Sequence, residues 1–213
     1  ASPSIAQDWT WWPLGLTHDN IKGDTLYYGT EILGVASSGD YAPFWIQSNH
    51  NGNISASPYS GNISATICKP ATQPHRWYDY DFAVQLSGRL QSDLHTHFSL
   101  YKKLGTGYFN QLYAHVRLYF LDILAGIKPI NYESIDPLLS SGSMLISSNS
   151  QPIPRITIGI DDYIPFPGLY GYIELKGCIT YGWLPDNVYI EGCCYHHKYA
   201  ALRFGGRLPV NIS

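Results

Sequence analysis

Charge is scarce in this chain: 14% of its 213 residues are Asp, Glu, Lys or Arg, against roughly 25% in an average soluble domain. Its formal charge is −3, so it lacks the basic excess of a nucleic-acid-binding domain. It has no run of 18 or more apolar residues, which excludes a membrane-spanning helix. Apolar residues nowhere recur at a sustained helical spacing, which argues against a helical domain. Cysteine is limited to Cys68, Cys178, Cys193 and Cys194, without metal-finger spacing. Adjacent Cys193 and Cys194 point to opposite faces of a strand, so at most one could reach Cys178 across a neighbouring strand. Free, partly buried thiols are expected rather than a disulfide framework.

Aromatic residues are abundant, at 15% of the chain with 18 Tyr and 6 Trp. Such an excess suits both the girdles of an outer-membrane barrel and a carbohydrate-binding surface. Alternation says more. Between Tyr80 and Gln91, Tyr80, Phe82, Val84, Leu86 and Leu90 share one face of an extended chain, and Asp81, Gln85, Ser87, Arg89 and Gln91 share the other. The length matches the roughly 9–11 tilted residues with which a strand crosses a bilayer, and the polar face carries full charges. The pattern recurs. Leu112 to Phe120 alternate with Gln111 to Tyr119, and Ile156, Ile158 and Ile160 with Arg155, Thr157 and Asp161. Ile173, Leu175, Ile179, Tyr181 and Trp183 oppose Glu174, Lys176 and Thr180, and Ala200 to Ile212 oppose Arg203, Arg207 and Asn211.

These segments predict an all-β chain, an antiparallel meander of about eight to ten strands forming a partial transmembrane β-barrel. Residues 1–24 read as an irregular N-terminal segment opening on Ala1-Ser2-Pro3 as a processed protein does, and residues 25–213 as barrel strands. From Gly39 to Arg76 the text is rich in Gly, Ser, Asn and Pro, and predicts loops with two short strands. The alternation still runs at Asn211-Ile212-Ser213, which suggests the first part of a larger barrel. Arg89, Arg117, Arg155, Glu174, Lys176 and Arg203 are the expected lumen-facing charges.

An ordered set of short motifs carries a family resemblance. Gly29-Thr30-Glu31 is followed by Pro43-Phe44-Trp45-Ile46-Gln47-Ser48-Asn49 with Gly52, then by Ser141-Gly142-Ser143 and Ser147-Ser148-Asn149-Ser150-Gln151-Pro152-Ile153-Pro154-Arg155. Tyr181-Gly182-Trp183-Leu184, His196-His197-Lys198-Tyr199 and Leu202-Arg203 complete it. From about Thr25 to Ile212 the chain resembles the Wzi-type capsule assembly proteins in their Bacteroides-like form, at about half their expected length. The resemblance implies an outer-membrane barrel of roughly eighteen strands in a Gram-negative bacterium. It further implies a non-catalytic lectin that binds or anchors capsular polysaccharide, with outer-membrane lipid around it and no cofactor.

Sugar-binding candidates are Trp11, Trp12, Trp45 and Trp77, because an aromatic face packs against the apolar face of a pyranose. The bland reading of each is a girdle or plug residue. Asp93-Leu94-His95-Thr96-His97 supplies the rival chemistry: alternate imidazoles on one strand face could hold a divalent metal in a metal-dependent hydrolase. That motif normally opens an α/β barrel, and no helices follow. Asp161-Asp162 and Glu174 could be glycosidase carboxylates, though paired Asp before a Pro-rich turn reads as a turn cap and Glu174 beside Lys176 as charge balance. A soluble carbohydrate-binding β-sandwich is the other alternative. The chain is therefore expected to be no enzyme and to hold no metal.

Overall fold

The computed structural model describes residues 25–71, 77–91, 107–130, 149–169, 171–184 and 192–205. Eight strands lie within them: β1 (Tyr27–Ala36), β2 (Tyr59–Lys69), β3 (Tyr78–Gln91), β4 (Gly107–Leu118), β5 (Leu121–Ile127), β6 (Pro154–Pro165), β7 (Ile173–Trp183) and β8 (Cys194–Phe204). The helix α1 (Phe44–Gln47) is a single turn. The strands form one sheet in chain order, each antiparallel to the next. The all-β meander expected from the alternation is thus the observed fold. Among the described residues β1 and β8 are not paired with each other, so the sheet is open.

Burial in this sheet is inverted. On β2 Asn62, Ser64 and Thr66 are among the buried side chains, and Ile63, Ala65 and Ile67 among the exposed ones. On β3 Gln85 is 0% exposed and its neighbour Leu86 51%. β4 continues with Asn110, Gln111 and His115 buried against Leu112, Val116 and Leu118 exposed. Lys128, which follows β5, reaches past β4 to Asp81 on β3 with Nζ 3.2 Å from Oδ2, so the polar face is the inside of the curl. In water such a sheet loses on both faces. An exposed Ile or Leu forgoes about 1.5–3 kcal/mol relative to burial, and a buried amide costs about 1–3 kcal/mol unless bonded.

The two rims differ. At one, the connections are 37–58 between β1 and β2, 92–106 between β3 and β4, 128–153 between β5 and β6, and 184–193 between β7 and β8. At the other they are 70–77, 119–120 and 166–172. Large exposed aromatics gather at this short-turn rim, among them Tyr28, Trp77, Tyr78, Tyr119, Phe120 and Tyr172.

Three local expectations are corrected. Phe120 does not extend the strand: β4 stops at Leu118, and Tyr119–Phe120 make a two-residue turn in which Tyr119 takes a φ of 58° and donates its N–H to Trp77 O at 2.7 Å. Asp161-Asp162 lies not at a turn but inside β6, where the register shifts between Ile160 and Ile164. Between Gly39 and Arg76 the described residues hold one long strand, β2, rather than two short ones. Residues 1–24, with Trp11 and Trp12, and residues 92–106, with His95 and His97, lie outside the described residues.

Candidate functional site

Among the described residues the polar face carries the densest side-chain networks, beginning with the β1–β2 connection folded over it. Asn49, Asn51 and Gly52 take positive φ (62°, 50° and 74°), which turns the chain back on itself. Ala42, Ser48, Asn53, Ile54 and Ser57 are buried by the fold-over. Asn53 Oδ1 accepts from Tyr108 OH at 3.1 Å and from Ser87 Oγ at 3.4 Å, while the Arg89 guanidinium donates to Gly52 O and to Tyr108 OH (3.1 Å). Asn62 Nδ2 closes this latch on Tyr108 OH at 2.8 Å. Across a hundred residues, Asn49 N–H donates to Asn149 Oδ1 at 3.2 Å. A Cβ on Gly52 would stand 2.8 Å from the backbone nitrogen of Gln151, so only glycine fits there. Two of the motifs that carry the family resemblance therefore touch.

Toward the short-turn rim the face becomes a charge network. His115 sits between two carboxylates, with Nδ1 on Asp81 and Nε2 3.0 Å from Asp122. Only a doubly protonated ring donates to both. Asp122 also accepts from Arg117 Nε at 2.8 Å and from the Asp161 N–H at 3.3 Å, and Arg117 Nη1 lies 3.6 Å from Asp162. Ligand-type atoms of His115, Asp122 and Asp161 fall within 4.8 Å of one another. Both imidazole nitrogens already face carboxylates and the Arg117 guanidinium sits on Asp122, so this gathering is a charge network and not a vacant coordination shell.

The face of β7 and β8 is more open. Glu174 pairs with Arg203 directly across the strands, not with Lys176 as charge balance along one strand suggested. Along β8 the rings of Tyr195, His197 and Tyr199 follow one another on this face, each half-buried.

All six expected lumen charges lie on the polar face. Arg89 belongs to the latch, Arg117 to the network, Glu174 and Arg203 to their own pair, and Arg155 donates to Lys128 O and Pro129 O. Lys176 lies half-buried beside Glu174 on the same face of β7. The two described Trp candidates do not converge. Trp45 is 74% exposed on α1 at the long-loop rim, and Trp77 is 71% exposed at the opposite rim, with its ring 4.7 Å from that of Tyr78. Cys68, Cys178, Cys193 and Cys194 are free thiols; Cys178 lies opposite Tyr199 on the polar face, and Cys194 lies opposite Trp183 on the outer face. Sequence reasoning missed Asn53, Tyr108, Asp122 and Lys128. Asp122 had a signal, since it interrupts the apolar run Leu121 to Ile127, and Lys128 follows that run in the same phase. Comparison with family models, with curated proteins and with solved structures found no match to this chain.

Proposed function

We propose that this chain forms wall of an outer-membrane β-barrel that engages capsular or other surface polysaccharide without catalysing a reaction. One observation carries the membrane part: the apolar side chains face out and the amides, hydroxyls and charges face in. Hydrocarbon around the wall rewards the first, and a wet or hydrogen-bonded interior accommodates the second. The rim asymmetry also supports it, because such barrels have short turns on the periplasmic side and long loops outside. By that rule the 37–58 loop lies at the cell surface and the Trp77–Tyr78 rim at the inner interface, where aromatic girdles sit.

The polysaccharide part rests on the resemblance to Wzi-type proteins together with the exposed Tyr41, Phe44 and Trp45. These rings stand on a loop whose underside is latched, so they are presented with little ordering entropy left to lose. The carboxylates Asp81, Asp122 and Glu174 are engaged by His115, Lys128, Arg117 or Arg203, which favours a binding role over acid–base chemistry. A soluble sandwich would require a second apolar layer over the outer face.

Fractionation of cells expressing the natural gene product, followed by a heat-modifiability gel, tests this reading. A heat-shifted band in the outer-membrane fraction is expected, with binding of the extracted protein to polysaccharide from the same cells. A protein that stays soluble without detergent sinks it.

A further inference from the structure

We propose that the inner face of β8 is a glycan-binding track, in which Tyr195, His197 and Tyr199 form a row of stacking platforms for a linear sugar chain. The inference rests on the polysaccharide reading above and gives it a second site, inside the barrel wall, distinct from the rim aromatics. Alternate residues of one strand place a ring on the same face about every 6.7 Å. The Tyr195 and His197 rings are stacked, 17° apart with centroids at 6.0 Å, and His197 and Tyr199 follow at 5.7 Å. This is an aromatic row on the polar face, where the paired strand β7 carries Glu174, Lys176 and Thr180.

Small residues lie across from the row. Tyr195 faces Gly182, His197 faces Thr180 and Tyr199 faces Cys178, all three of them small and buried. Small cross-strand partners leave room beside the rings on this face. A pyranose presents its apolar C–H face to such a surface and its hydroxyls to the side. Hydrogen-bonding groups stand at the end of the row, where Arg203 is paired with Glu174 and lies over the Tyr163 ring at 4.3 Å. A guanidinium held by both a carboxylate and a ring is a fixed donor set for sugar hydroxyls or a sugar carboxylate. Rings at a near-constant interval commit the occupant to a repeating chain, since a lone monosaccharide would use one platform and leave the others.

The test uses the full-length protein in detergent micelles. Its probes are oligosaccharides of one to six sugars cut from the surface polysaccharide of the producing cells, with maltohexaose as a neutral comparison. Affinity of the wild type is expected to climb with chain length until three or four sugars and then level off. Tyr195→Ser and Tyr199→Ser should each weaken the six-sugar fragment roughly three- to tenfold and flatten the length dependence. Tyr199→Phe, which keeps the ring, should lose less than about threefold. A heat-modifiability gel identifies variants that fail to fold, and Leu202→Val on the outer face serves as a folded control. If the wild type binds and both Ser variants match it while Trp45→Ala weakens binding, the track is refuted and the polysaccharide reading stands. If the wild type binds no fragment of any length, both fall together. Tighter binding of acidic fragments than of maltohexaose would assign Arg203 to a sugar carboxylate, and equal binding would assign it to hydroxyls.

Discussion

Asp122 holds three donors at once, and that makes it the residue on which the charge network turns. Its removal leaves the His115 and Arg117 cations facing one another with less compensation. Asp122→Ala should therefore lower stability by about 3 kcal/mol, the usual cost of breaking a buried pair. The midpoint of urea unfolding in detergent micelles measures this, and an unchanged midpoint would mean that water already screens the network. His50 acts on the loop folded over the polar face. Burial pulls its pKa below the ordinary 6.5. Above that pH the ring is neutral whether the loop is fastened or free, and pH has no leverage. As pH falls below 6.5, the released loop takes up a proton more readily than the fastened one, so acid loosens the latch. Proteolysis within residues 37–58 should accelerate between about pH 7.5 and about pH 5.5 in the wild type and hold level in His50→Gln. Acceleration of equal size in His50→Gln would place the acid sensitivity elsewhere.

At the scale of the strand, the two faces should answer the same substitution oppositely. Ile158 points out from β6 and is 49% exposed, and the adjacent Thr157 points in, with its hydroxyl 2.9 Å from that of Thr180. On the proposed membrane reading, Ile158→Arg places a guanidinium against hydrocarbon at a cost of about 2–4 kcal/mol. It should abolish the heat-shifted band, whereas Thr157→Arg should retain it; equal behaviour of the pair would argue against a spanning strand. The contrast was legible in the sequence because apolar and polar residue types mark the two faces, and period two records the strand. Tyr80 to Gln91 needed nothing more. Connections gave less away. Tyr119–Phe120 hid inside an alternating run, because neither residue is a usual turn former and the φ of 58° at Tyr119 is held by the Trp77 carbonyl, remote in sequence. The 37–58 segment announced a loop through its Gly, Ser and Asn, yet nothing local told that Asn53 would reach Tyr108, since the partner is set by how the sheet curls. The pairing of Asn49 with Asn149 is invisible for the same reason.

For the molecule as a whole, orientation is decided by native thiols. Cys193 and Cys194 are exposed at the long-loop rim, and Cys68 and Cys178 are buried. A membrane-impermeant maleimide applied to intact cells should label the protein, and Cys193→Ser combined with Cys194→Ser should erase the signal. Labelling that appears only after the outer membrane is permeabilised would put the long loops on the periplasmic side. The inverted burial reaches further than placement. In a water-soluble core a shortened side chain leaves a void, because its rigid neighbours close in only partly. If the wall spans a bilayer as proposed, its outer face has fluid acyl chains for neighbours, and a fluid flows into any gap. Ile63→Ala should thus forfeit only the transfer energy of the missing carbons, with no penalty for emptiness. The greasy belt stores almost no shape information and is free to drift as long as it stays greasy. What makes this wall one particular wall is written on its polar side, where Gly52 admits no other residue and Asn53 accepts from both Tyr108 and Ser87.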